Sequence, residues 1–158
     1  MGGKRGIQRI LSQKKETLGE LVYKVSGSTF NNLINMRKGK GEYFGNLIKD
    51  LGISVAYEKV SCYCLNGSYE YYWLEPETAV LEKDWLLGLV DARTKEVTLF
   101  LIPANTFSKT QKAENSLKLR KDDPDNLELK ILPKNYLEQY SKKSFLTFMI
   151  LKFKIEIV

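Results

Sequence analysis

The hydrophobic residues of this chain change their spacing near residue 53. Before that point they recur every three to four residues, which is typical of amphipathic helices. After it they alternate with polar residues or form short apolar runs, which is typical of strands. The sequence therefore predicts an α+β protein. Residues 1–53 form a four-helix N-terminal head, and residues 54–158 form a strand-rich body with one short helix.

The predicted elements are bounded by ordinary turn and capping residues. A Ser-Gly-Ser-Thr turn precedes the third helix, Gly39 and Gly41 follow it, and Gly52 ends the fourth. The apolar positions of the four helices are Ile7, Ile10 and Leu11, then Leu18, Leu21, Val22 and Val25, then Phe30, Leu33 and Ile34, and finally Phe44, Leu47, Ile48 and Leu51. Strands are predicted over residues 53–63, 69–74, 85–90, 97–102, 117–120, 127–131 and 145–158, and the short helix over residues 136–140.

The net charge of +6 lies wholly in the N-terminal third. Residues 1–53 hold ten Lys or Arg and four Asp or Glu, whereas the remaining residues hold fifteen of each. A basic segment joined to a neutral body is typical of a protein that binds a polyanion, because phosphate neutralisation dominates nucleic-acid affinity. A basic surface that serves solubility has the same composition, so charge alone leaves both interpretations open.

Composition excludes several classes of protein. The chain of 158 residues is too short for a large multidomain enzyme. It has no apolar run of the length that a membrane span or a secretory signal needs, so we expect a cytoplasmic protein without a membrane partner. The absence of histidine excludes imidazole-based triads and zinc sites that use His. Cys62 and Cys64 are one residue apart and are expected to share a strand face as reduced, structural thiols.

Residues 21–40, together with residues 47–53, resemble the lambda-repressor-like helix-turn-helix family. The resemblance implies a scaffold helix, a tight turn and a recognition helix over residues 28–37 that enters the major groove of double-stranded DNA. Asparagine amides can pair with adenine edges, while hydroxyl and basic side chains contact phosphate. A solvent-facing polar stripe on a structural helix would have the same residues. Those assigned to DNA contact are Ser28, Thr29, Asn31, Asn32, Asn35, Arg37, Lys38 and Lys40.

A second resemblance lies in the body, where Pro-Asp and Glu-Leu-Lys follow one another within residues 124–130. These are the residue types of metal-dependent nucleases of the restriction-endonuclease-like family, in which carboxylates hold Mg²⁺ and a lysine lies beside the attacking water. A turn over residues 122–126 accounts for the same letters and is favoured. The nuclease interpretation would use Glu42, Asp91, Glu128 and Lys130 for catalysis, with Asp91 and Glu128 as the metal ligands.

Aromatic residues cluster at Tyr69, Tyr71, Tyr72 and Trp73. On a strand, alternate members of this cluster point to opposite faces. Packing in the core or across a strand pair is the favoured interpretation. Members that face outward would stack on unpaired bases or form a dimer surface.

These observations predict a sequence-specific double-stranded DNA-binding protein, most naturally a transcriptional regulator without a cofactor. A small recognition module binds one half-site weakly, so we expect the body to form a homodimer on a palindromic site. One alternative is a nuclease that uses Mg²⁺ as its cofactor. Another is a protein-binding inhibitor or accessory factor whose helices are only structural.

Overall fold

A computed structural model of the chain describes residues 21–35, 41–65, 69–108 and 115–158. The described part is strand-rich and has two α-helices and two short 3₁₀ helices. The 3₁₀ helices span Thr78–Glu82 and Phe145–Phe148. The other elements, in chain order, are β1 (Val22–Val25), α1 (Gly27–Ile34), α2 (Gly41–Asp50), β2 (Lys59–Leu65), β3 (Tyr72–Leu74), β4 (Trp85–Asp91), β5 (Glu96–Ile102), β6 (Leu129–Ile131) and β7 (Met149–Ile157).

Five of the strands form one mixed sheet with the order β1-β7-β5-β4-β2. The central strands β4, β5 and β7 pair antiparallel, and each outer strand pairs parallel with its neighbour. Val25 lies opposite Ile157, so the start of the described chain is joined to its end. The remaining strands, β3 and β6, form a separate antiparallel pair.

The centre of the five-stranded sheet is buried on both faces, as strand β4 shows. All seven residues of β4 are buried. Trp85, Leu87 and Leu89 belong to one hydrophobic core, which lies under the β3–β6 pair. Leu86 and Val90 belong to a second core, which includes Phe44 of α2. Because adjacent side chains on a strand point to opposite faces, the helices and the β3–β6 pair cover opposite sides of the sheet.

The close contact of α2 with the sheet depends on glycine. A Cβ atom at Gly88 would overlap the Phe44 ring. A Cβ at Gly41, where α2 begins, would lie against the carbonyl oxygen of Val60 on β2. The helix layer therefore packs directly on the backbone of the sheet.

The prediction of a four-helix N-terminal head is wrong. The segment predicted as the second helix contains the strand β1, and α1 and α2 are the only two α-helices among the described residues. Leu21 and Val25 are buried and Tyr23 is half-buried, whereas Val22 and Lys24 are exposed, which is an alternating rather than a helical pattern. Apolar spacing in so short a segment fits both structures, and the edge of β7 provides the hydrogen-bonding partner that favours a strand. The predicted first helix, at Ile7, Ile10 and Leu11, lies outside the described residues.

The short helix predicted over residues 136–140 is also wrong. Tyr136 has φ 54°, which an α-helix of L-residues does not accommodate.

Residues 117–120 are extended beside residues 126–128 but form only an isolated bridge, Leu119 to Leu127. The turn predicted over residues 122–126 is confirmed, because the Asn126 N–H donates to the Asp123 carbonyl at 3.0 Å.

The described residues on either side of position 53 share one hydrophobic core. Phe30, Leu33 and Phe44 come from the N-terminal side, and Leu86 and Leu151 come from the other side. The domain boundary at residues 53 and 54 stays a prediction. Within the described ranges, no helix has the length and apolar character to cross a membrane.

Candidate nucleic-acid interface

Helix α1 presents a polar surface to solvent. Ser26 caps it, accepting the Thr29 N–H at 3.1 Å on its hydroxyl oxygen. Phe30 and Leu33 are buried on its inner side. We call the exposed residues on the other side the α1 polar face, which consists of Ser28, Asn31, Asn32 and Asn35.

The other residues assigned to DNA contact are placed differently. Thr29 is half-buried, and its hydroxyl and carbonyl oxygens accept hydrogen bonds from Ser26 and Tyr43. Arg37, Lys38 and Lys40 lie outside the described residues. The structure therefore brings together Ser28 and the three asparagines of the predicted contact set. The segment that the family resemblance assigns to a scaffold helix forms β1 instead.

The four residues of the nuclease interpretation lie in separate surroundings. Glu42 is exposed in the first turn of α2. Asp91 closes the β4–β5 hairpin, where it accepts hydrogen bonds from the Arg93 backbone N–H at 2.9 Å and from its guanidinium at 3.3 and 3.4 Å. Lys130 lies on β6 and Glu128 directly precedes that strand, and among the described residues neither shares a hydrogen-bond partner with Asp91. Within the described ranges, no three His, Cys, Asp or Glu side chains are grouped so that they could hold a metal ion.

A second polar surface lies on the outer side of the β3–β6 pair. The inner residues Tyr72, Leu74, Leu129 and Ile131 are buried in the core. Trp73, between the first two, is 50% exposed and lies directly opposite Lys130. We call this surface the aromatic–lysine face; its members are Tyr71, Trp73, Lys118, Glu128, Lys130 and Tyr140.

Lys130 lies among three aromatic rings. Its Nζ is 5.1 Å from the ring centroid of Tyr71, 5.4 Å from that of Trp73 and 5.5 Å from that of Tyr140. Hydrogen bonding to the two tyrosine hydroxyls raises the pKa of Lys130, so the ammonium form is favoured. An ammonium this close to several ring faces is attracted by their quadrupoles.

Tyr140 is held in place by a network of polar contacts. Its hydroxyl donates to Glu128 Oε2 at 2.6 Å, and Lys118 Nζ donates to the same oxygen at 3.1 Å. Lys118 Nζ also lies 3.9 Å from the Tyr140 ring centroid. The hydrogen bond from Tyr140, followed by that from Lys118, lowers the pKa of Glu128 below its usual value. The network therefore contains a carboxylate and an ammonium at neutral pH.

A buried carboxylate beneath this network connects its parts. Glu138 is 0% exposed and accepts three backbone N–H groups. These come from Lys130 at 3.0 Å, Tyr140 at 3.1 Å and Ser141 at 2.7 Å. Because Lys130 lies on β6 and Tyr140 on the following turn, Glu138 fixes the position of each relative to the other.

A polar cavity of about 390 Å³ lies beside β2. Its lining includes Lys59, Ser61 and Tyr63 of β2, together with Glu75 and Arg120. Arg120 Nη1 donates to Glu75 at 2.9 Å, while its Nε and Nη2 donate to Asp122. The guanidinium is thus occupied by carboxylates of the chain itself.

Comparisons of this chain with family models, curated proteins and solved structures found no match. Its function is therefore argued from the two surfaces themselves. The lambda-repressor-like and nuclease resemblances stay predictions.

Sequence reasoning found part of each surface. It singled out the α1 asparagines and the aromatic run, and it named Glu128 and Lys130 for a different chemistry. It missed Lys118, Glu138 and Tyr140, which lie in segments that meet the aromatic run only after folding. The available signal was the alternation of Lys118, Arg120, Glu128 and Lys130 with leucine and isoleucine, which predicts an outward-facing polar row.

Proposed function

We propose that this protein binds double-stranded DNA through the α1 polar face. The observation that supports the proposal is the exposure of Asn31, Asn32 and Asn35 on a capped helix whose other side is anchored in the core. Asparagine is a poor helix former, and its amide can make two hydrogen bonds to adenine in the major groove. A helix of eight residues is about 12 Å long, which is comparable with the width of that groove.

The charge of the N-terminal part supports the same proposal. The sequence continues from α1 into Arg37, Lys38 and Lys40, and residues 1–20 contain five further Lys or Arg. Basic side chains close in sequence to a base-reading helix supply the phosphate contacts that position it. Because a short helix binds one half-site weakly, the proposed protein is a homodimer that binds a palindromic site. Its proposed role is that of a transcriptional regulator in the cytoplasm.

Fluorescence anisotropy with a labelled pool of random duplexes tests the proposal. We expect the protein to bind these duplexes. The logarithm of the association constant should fall with the logarithm of the salt concentration at a slope of about −3 or steeper between about 50 and 200 mM, as four or more phosphate contacts predict. Duplexes selected from that pool should then bind the combined variant Asn31→Ala, Asn32→Ala, Asn35→Ala at least about tenfold more weakly, because one good base contact contributes about 1–3 kcal/mol.

Asn46→Ala is the matched control, since Asn46 is an exposed asparagine on the other helix. It should bind the selected duplexes like the parent protein. Absence of duplex binding at about 50 mM salt, or equal binding by the triple variant, would contradict the proposal. Light scattering of the complex measures the number of protein copies on each duplex, for which we expect two.

A further inference from the structure

The aromatic–lysine face lies on the opposite side of the five-stranded sheet from the α1 polar face. The inner residues of the β3–β6 pair share a core with Leu87 and Leu89, whereas Phe30 and Leu33 of α1 share the other core with Leu86 and Val90. A ligand on one surface therefore does not contact the other. The chemistry of the aromatic–lysine face is different from that of the α1 polar face, because it combines aromatic rings with the Lys130 ammonium.

We propose that the aromatic–lysine face binds unpaired bases of a single-stranded nucleic acid. Trp73 on β3 is half exposed, and Tyr140, on the turn that Glu138 ties to β6, also has a large exposed fraction. Large aromatic side chains that remain exposed on a rigid sheet offer flat surfaces on which bases stack, and each stacked base contributes about 1–3 kcal/mol.

The charge of this face selects an anionic ligand that stacks. Lys118 is paired with Glu128, but within the described ranges no carboxylate lies within 4.0 Å of Lys130 Nζ. An ammonium that has no ion-pair partner among the described residues and lies between aromatic rings matches a phosphate that links two stacked bases. A neutral sugar also stacks on aromatic rings, but it has no negative charge for Lys130.

The Tyr140 ring and the backbone of Lys130 are held in position before a ligand arrives. The Glu138 carboxylate joins the backbone of β6 to the turn that holds Tyr140, and Glu128 fixes the Tyr140 hydroxyl. A preorganised surface loses little conformational freedom on binding, so stacking energy is retained as affinity.

The salt dependence of binding distinguishes this surface from the α1 polar face. Lys118 and Lys130 are the cations of the face, and single strands give a slope of about −0.7 for each phosphate contact. We therefore expect the affinity for an oligothymidylate of about 12 nucleotides to fall by less than about tenfold between about 50 and 200 mM salt. Duplex binding through α1 is expected to be much more salt-sensitive.

Tryptophan fluorescence reports on the site directly. The chain has two tryptophans, and Trp85 is fully buried, so quenching by the oligothymidylate is assigned to Trp73. Trp73→Ala should lower the affinity measured by anisotropy by about tenfold or more, and Trp73→Phe should retain most of it while the quenching is lost. Lys130→Gln should weaken oligothymidylate binding and reduce the dependence of the affinity on salt concentration.

Leu146→Ala is the control, because Leu146 is a large exposed apolar side chain outside this face. It should leave oligothymidylate binding unchanged, as should the triple asparagine variant of α1. Unfolding in urea establishes that each variant is folded before its binding is compared.

The proposal is overturned if no oligothymidylate binds at about 100 µM protein and low salt, or if Trp73→Ala binds like the parent. It is also overturned if a neutral oligosaccharide quenches Trp73 and competes with the oligothymidylate more strongly than a second oligonucleotide does. Because the assay uses single strands and face-specific variants, loss of duplex binding through α1 would leave this proposal standing, and the reverse also holds.

Discussion

The two layers that cover the five-stranded sheet expose different chemistry. The helix layer exposes hydroxyl and amide groups next to a strongly basic stretch of sequence, whereas the opposite layer exposes aromatic rings with nearly balanced charge. Long-range electrostatics act on the first surface, and short-range stacking acts on the second. One sheet therefore supports two surfaces whose proposed ligands should differ in their response to salt.

The largest expected effect comes from separating the helix layer from the sheet. Gly88→Val places a branched side chain where the Phe44 ring lies, so we expect the free energy of unfolding in urea to fall by about 3 kcal/mol. Gly27→Ala is the control, since its added Cβ would meet its nearest neighbour at 3.8 Å, an ordinary contact. Equal stability of the two variants would mean that Phe44 does not pack on β4.

A smaller loss of stability is expected from a substitution in the layer on the other side of the sheet. Glu138→Gln replaces a carboxylate that accepts three N–H groups with an amide that has one acceptor oxygen. We expect stability to fall by about 2 kcal/mol and oligothymidylate binding to weaken, with duplex binding unchanged. Glu156→Gln, at an exposed carboxylate on β7, should change none of these. A Glu138→Gln variant that weakened both kinds of binding equally would contradict the independence of the two layers.

Thiol reactivity measures how closely the helix layer covers β2. Cys62 and Cys64 are free and lie toward the helices. Burial raises the pKa of Cys62, and burial together with the charge of Asp91 raises that of Cys64 to about 11. Because thiolates are the reactive species, both should react with an aromatic disulfide at least about tenfold more slowly at about pH 8 than in the unfolded chain. Rapid reaction of the native protein would show that the helix layer opens easily.

The smallest expected effect is the acid response of the aromatic–lysine face. The folded-state pKa of Glu128 is lowered, so the network with Tyr140 and Lys118 stabilises the protein above the ordinary glutamate pKa of about 4.3. That contribution is lost as the pH falls through the lowered value. Titration followed by carboxyl NMR should give Glu128 a pKa below the ordinary glutamate value, and Tyr140→Phe should raise it. An unchanged value in Tyr140→Phe would show that the hydroxyl does not determine the shift.

The sequence by itself determined the parts of the structure in which local pattern is decisive. Runs of alternating or continuous apolar residues located β4, β5 and β7, and the Ser26 cap followed by buried Phe30 and Leu33 located α1. The asparagine surface follows from the same helical spacing, because residues between the buried positions must face solvent.

Only the tertiary structure decided the remaining features. Residues 22–25 became a strand because β7, more than a hundred positions later, provides their hydrogen-bonding edge. The aromatic–lysine face formed because β3 pairs with β6 and Glu138 brings Tyr140 beside them. Contacts between distant segments depend on how the whole chain packs, and no local spacing of residues contains that information.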